Sequence, residues 1–128
     1  MAHYFSSYDL INEKEDLDVD MYPDYYNWLL GLAEKYGWKP AGTTVKYGLR
    51  WKHGRLTSEW DGSYHSDFGA VVSEADAHAI AQALDRAKRH NEDAEIQEIM
   101  NDEYGRGRLE ELQKLCRLGE FQIYYTPI

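Results

Sequence analysis

Apolar positions change their period several times along this chain, and each change marks a structural element. His3 to Ile11 mixes aromatic and aliphatic residues suited to a strand, and Asn12 to Asp16 is polar turn material. Leu17, Val19 and Met21 then alternate with Asp18 and Asp20. Period two puts the three apolar side chains on one face of a strand and the two carboxylates on the other, so the segment predicts an N-terminal hairpin. The carboxylate face suits a solvated surface that discourages edge-to-edge pairing. Pro23 fits the first helical position, whose N–H would have no partner within the helix. Tyr22, Tyr25 or Tyr26, Leu29, Leu32 or Ala33, and Tyr36 follow at three- and four-residue spacing. This predicts an amphipathic helix closed by Gly37, with Trp38 folding back on its last turn.

From Thr43 the period returns to two. Val45, Tyr47, Leu49 and Trp51 share one face, with Lys46, Arg50 and Lys52 on the other. A His53-Gly54 turn would set Trp51 beside Leu56 and Tyr47 beside Trp60 across a second hairpin. Asp61-Gly62-Ser63 marks another turn, and the segment to Gly69 reads as loop. Ser73 is a helix cap, Asp76 stands three residues on in the place of a capping-box acid, and Glu74 suits the positive end of the helix dipole. The helix they open carries a narrow stripe of Ala77, Ile80, Ala81, Ala83, Leu84 and Ala87, narrow enough for close packing. A third helix is predicted from Asp93 to Tyr104, interrupted by Gly105 and Gly107. A fourth bears Leu109, Leu112, Leu115 and Cys116 and ends at Gly119. Phe121, Ile123 and Tyr125 alternate in a last strand placed to join the N-terminal hairpin. The pattern predicts a single α+β domain over residues 1–128: a small antiparallel sheet of the N-terminal hairpin plus the C-terminal strand, packed with three to four helices.

Composition sharpens this picture at two points. The net charge of -9 is spread unevenly: residues 1–34 hold eight acids against Lys14, and residues 91–103 hold six acids and no base. Between them, residues 35–60 hold six Lys/Arg against Glu59. The acidic blocks repel a phosphate backbone, which argues against general nucleic-acid binding, and attract a basic protein surface. The single cysteine, Cys116, excludes an intramolecular disulfide, so a reducing, cytoplasmic setting is expected. The first residues lack the apolar run of a signal peptide, and no window is long and apolar enough to span a bilayer, so no membrane association is expected.

Candidate chemistry is sparse. Asp61, His65 and Asp67 are residue types that bind divalent ions, but an EF-hand loop begun at Asp61 would need Gly at the position of Ser66 and Glu at that of Val72. A hydrogen-bonded turn explains them as well. Glu95, Glu98 and Asp102 share a helix face, yet the Glu-x-x-His pattern of carboxylate-bridged metal pairs is missing. That face reads as solvated, or as an electrostatic contact for a basic partner. Cys116 lies in register with Leu109 and Leu112 and reads as core packing. Lys46, Arg50, Lys52 and Arg55 interleave with Tyr47, Trp51 and Trp60 as on a single-strand nucleic-acid platform. On a strand, however, rings and cations point to opposite faces.

Trp60-Asp61-Gly62-Ser63-Tyr64, Ser73-Glu74-Ala75-Asp76-Ala77 and the run from Cys116 to Ile123 resemble a group of small bacterial cytosolic proteins of unknown function. The resembling motifs are a turn, a helix cap and a helix-to-strand junction, so the resemblance implies no catalytic residue. The expected function is a non-catalytic protein-binding module, of immunity or adaptor type, with no cofactor and no metal. Its partner is a basic protein or a second copy of the chain. Asp18, Asp20, Glu95, Glu98 and Asp102 would steer association, and Arg50, Trp51, Trp60 and Tyr64 would provide contact area. The alternatives are a metal-dependent hydrolase built on the 61–67 loop and a nucleic-acid binder using the 46–55 strip.

Overall fold

The alternating N-terminal segment folds as an antiparallel hairpin of β1 (Ser7–Asn12) and β2 (Leu17–Met21), with Asn12 paired to Leu17 at the turn. This computed structural model describes residues 7–43, 50–52, 54–57, 64, 71–90 and 92–126, with the backbone alone at Ser7, 50–52, 55–57, Tyr125 and Thr126. The turn is held by the Asn12 side chain, which accepts the Glu15 N–H at 2.8 Å, and by Asp16 in the left-handed region with φ 53°. Aspartate tolerates that conformation better than most residues. The C-terminal strand β6 (Phe121–Thr126) lies antiparallel beside β1, as its alternation predicts. A two-residue strand, β5 (Val71–Val72), pairs antiparallel with β6 on its other side. The sheet order is thus β2-β1-β6-β5. No period in the sequence marks β5, because two apolar residues carry none.

One face of this sheet is apolar: Val19, Leu10 and Ile123 are paired across three strands, and Tyr8, Met21 and Phe121 are buried beside them. Among the described residues four helices pack into the same core, α1 (Pro23–Lys35), α2 (Glu74–Arg89), α3 (Ala94–Asn101) and α4 (Glu103–Leu118). In α1, Pro23 takes the first turn and Leu29, Leu30, Leu32 and Ala33 are buried. Gly37, at φ 108°, ends the helix: the Trp38 N–H reaches the Ala33 carbonyl and the Gly37 N–H that of Glu34. This pair of bonds is the Schellman closure expected for glycine at that position. The alanine stripe of α2 is wholly buried and lets that helix pack against both α1 and α4.

The helix boundary near residue 102 differs from the sequence reading. Gly105 and Gly107 do not interrupt a helix; both lie inside α4, and the break falls at Asp102. Asp102 closes α3 and opens α4, its side chain accepting the Gly105 N–H at 3.1 Å. A strong N-cap therefore outweighs two weak helix formers. Gly105 is required by crowding: a Cβ there would stand 3.2 Å from the Ile99 carbonyl oxygen and 3.4 Å from the Tyr25 ring. Apart from the main sheet, β3 (Arg50–Lys52) and β4 (Arg55–Thr57) form a hairpin with Trp51 opposite Leu56 and Gly54 at φ 78°, the register that a His53-Gly54 turn predicts. The Tyr47–Trp60 pairing lies outside the described residues.

Candidate binding face

The sheet has a second face, and its composition is the opposite of the first. Residues directly opposite each other on neighbouring antiparallel strands point to the same side, so the register defines two rows. One runs Asp20, Asp9, Tyr124 across β2, β1 and β6; the other runs Asp18, Ile11, Gln122, Val71 across all four strands. Three carboxylates are therefore gathered within the β1–β2 pair. Asp18 and Asp20 are exposed and Asp9 is half-buried. Partial burial, with Asp9 and Asp20 adding their repulsion, holds the Asp18 carboxyl above the usual aspartate value. Among the described residues Asp20 faces an opposing charge, Arg108 of α4 at 3.7 Å, and the same guanidinium donates to the Asp20 carbonyl at 2.8 Å. Tyr124 borders the acidic rows and is 37% exposed, with its hydroxyl 2.9 Å from Gln122 Oε1.

The acids of the third helix have internal work. Lys35 of α1 spans Asp93 at 2.8 Å and Glu95 at 3.0 Å, and Glu95 also accepts the Trp28 indole N–H at 2.9 Å. The Trp28 and Lys35 hydrogen bonds outweigh desolvation and keep the Glu95 carboxyl below its ordinary value. Asp102 accepts the Tyr25 hydroxyl at 2.6 Å in addition to its capping bond, which lowers its own pKa and pushes the Tyr25 phenol up to about 12. Glu95 and Asp102 thus fasten α1 to α3 and α4. Glu98 stands exposed on the same stretch.

Asp76, read from the sequence as a capping-box acid, has a different task. Ser73 does cap α2 by accepting the Asp76 N–H at 3.2 Å, but the Asp76 carboxylate is buried and reaches other segments. Its Oδ1 accepts the Trp38 indole N–H at 3.2 Å and the Ala41 N–H at 2.8 Å. Its Oδ2 accepts the Gly42 N–H at 2.8 Å and the Tyr64 hydroxyl at 2.7 Å. Burial alone would raise its pKa, but the bonds from Ala41, Tyr64, Gly42 and Trp38 overcome that and hold it below the usual carboxylate range. Trp38 and Tyr64 stack with ring centroids 6.2 Å apart.

These placements sort the residues singled out by sequence. Asp18 and Asp20 share a face; Glu95, Glu98 and Asp102 belong to another region. Tyr64 cannot serve as a contact residue as expected, because it is fully buried against Trp38 and Asp76. Arg50 and Trp51 lie on β3, while Trp60, the metal-type residues Asp61, His65 and Asp67, and Lys46 lie outside the described residues. Cys116 is buried, and burial pushes its thiol pKa up. Among the described residues no group of three or more His, Cys, Asp or Glu side chains is arranged to hold a metal ion. Among them too, no helix is long and apolar enough to cross a membrane. Sequence reasoning missed Asp9 and Tyr124. The signal for Asp9 existed: once Asn12 and Leu17 close the turn, Asp9 must face Asp20. In comparisons with protein-family models, curated proteins and solved structures, nothing matches the chain.

Proposed function

We propose that this protein is a non-catalytic protein-binding module of the cytoplasm, of immunity or adaptor type, whose acidic sheet face receives a basic surface of a partner protein. The observation that supports this reading is the pairing of Asp9 with Asp20 directly across β1 and β2, with Asp18 alongside. These carboxylates give the outer face of β1 and β2 an acidic character that attracts a partner's Lys or Arg side chains. The net charge of -9 steers a cationic partner to the molecule. Tyr124 at the border supplies rigid, amphipathic contact area of the kind that anchors interfaces.

The test is an affinity capture from host lysate at low and moderate salt, comparing the native chain with an Asp18→Asn/Asp20→Asn variant shown by circular dichroism to be folded. Expected is one basic protein bound stoichiometrically to the native chain, weakened by salt and lost with the variant. Retention of the same partner by the variant, or capture of none by the native chain, overturns the reading.

A further inference from the structure

After Gly37 closes α1, the residues Trp38-Lys39-Pro40-Ala41-Gly42 form no regular element of their own. Pro40 has no N–H to offer, and it biases Lys39 away from helical backbone. The N–H groups that follow must find acceptors elsewhere in the fold. Ala41 and Gly42 donate to the two oxygens of the Asp76 carboxylate at 2.8 Å each, and the Trp38 indole donates to it at 3.2 Å. The described hydrogen bonds from this stretch to elements beyond α1 therefore end on one side chain of α2. Tyr64, which follows β3 and β4 in the chain, reaches the same carboxylate at 2.7 Å and stacks its ring on Trp38. Glycines mark both ends of the stretch, Gly37 at φ 108° and Gly42 at φ 101°. Glycine occupies that region at no steric cost, so both positions can swing without the strain another residue would meet. Of the residues between them only Trp38 is buried; Lys39 and Ala41 are exposed and Pro40 is half-buried. The sheet is held separately, by backbone ladders that pair β1 with β2 on one side and β6 on the other.

We propose that Trp38–Gly42 is a strap, hinged at its two glycines and latched by Asp76, that opens as a local unit while the four-stranded sheet stays paired. Segments with little buried surface and few anchors open at a lower free energy than the whole fold. One buried ring and one carboxylate anchor this one. Hydrogen bonds to a charged acceptor are roughly twice as strong as neutral ones, so the latch holds firmly when made. Because its bonds share one acceptor, they are also lost together. Opening turns the Trp38 indole and the Asp76 carboxylate out to solvent, so one local event changes both the apolar area and the charge displayed beside α2.

The experiment is native-state hydrogen exchange of the 15N-labelled full-length chain, followed by NMR from zero to sub-denaturing urea. The amide protons of Ala41 and Gly42 and the indole proton of Trp38 should share one protection factor, about tenfold or more below that of the β1 amides. Because the strap exposes little surface, its opening should depend weakly on urea, whereas that of β1 should depend steeply. In Asp76→Asn, where an NH2 group replaces one acceptor oxygen, the three protons should exchange about tenfold or more faster than in the native chain while β1 remains protected. Exchange of the three protons with the protection and urea dependence of β1 means that they open only with the whole fold, and overturns the proposal. Three unrelated protection factors, or exchange left unchanged by Asp76→Asn, overturn it equally. Should that variant fail to fold, the exchange of the native chain alone decides.

Discussion

Replacing Asp76 by alanine is expected to destabilise this fold more than any other single loss of a polar group described above. The carboxylate is 1% exposed and accepts four hydrogen bonds, two on each oxygen. The four donors do not fare alike when it is removed. Ala41 is exposed and Gly42 half-buried, so their N–H groups regain water. The Trp38 indole, in a residue 2% exposed, does not, and the fully buried Tyr64 hydroxyl keeps Ser73 beside it but loses its charged acceptor. A stranded buried donor costs about 1–3 kcal/mol, and lost bonds to a charged acceptor add to this, so Asp76→Ala should lower the unfolding free energy by about 3–5 kcal/mol. That is a large share of the roughly 5–15 kcal/mol that holds a domain together. Tyr64→Phe removes one donor to Asp76 together with the hydroxyl's bonds to Ser73 and should cost about 1–2 kcal/mol. Urea unfolding followed by circular dichroism measures both, and the Asp76→Ala/Tyr64→Phe double variant should cost clearly less than the sum, since the partners act on each other. The sign of the pH dependence follows from a folded pKa below the unfolded one of about 3.9. The stability from Asp76 is complete above that value and is lost as pH falls through the folded value. A cost below about 1 kcal/mol for Asp76→Ala, or strict additivity with Tyr64→Phe, would refute the anchoring role.

The two glycines of α4 should respond in opposite directions in the same unfolding assay. Gly107→Ala, with nothing within 4 Å of the new methyl, should stabilise by about 0.5–1 kcal/mol, whereas Gly105→Ala should destabilise because its methyl meets the Ile99 carbonyl oxygen at 3.2 Å. Asp18→Asn should raise stability at pH 7 by about 0.2–1 kcal/mol, because it removes a carboxylate that partial burial and then repulsion from Asp9 and Asp20 disfavour. The native chain's penalty from Asp18 should fade as pH drops through its raised folded pKa, so the gain from Asp18→Asn disappears in acid, which a thermal melt series from pH 3 to 7 will show. Cys116, buried and with its thiol pKa raised, should resist a thiol reagent in the native state and react at once in denaturant. Rapid labelling of the folded chain would show that the α4 core opens far more readily than its packing implies.

How much of this was legible beforehand depends on the range of the interaction. The hairpin, α1 with its Gly37 closure, the Ser73 cap and the final strand are written in residues within a few positions of one another, and each was readable from period and punctuation. At residue 102 a propensity argument about Gly105 and Gly107 competed with a local cap, and the approach of Ile99 and Tyr25, which only packing reveals, explains why glycine is there at all. Tyr64 was offered as contact area because a lone tyrosine between turns carries no periodicity, and its partners lie 12 and 26 positions away at Asp76 and Trp38. The candidate face was half visible: alternation put Asp18 and Asp20 on one side of β2.

By itself, then, the order of residues determined the element types, most of their ends, the α+β class and the outward carboxylates of β2. It did so because helix and strand periods, proline and glycine constraints and side-chain caps act over one or two turns of chain. The tertiary structure alone decided the register in which β6 pairs with β1, which brings Tyr124 next to Asp9. It also decided that Glu95 and Asp102 are spent on α1, and that the Asp76 carboxylate turns from its own helix toward residues 38–42 and Tyr64. Each of those outcomes compares long-range partners for the same polar group, and burial selects the partner that leaves the fewest hydrogen-bonding groups unsatisfied.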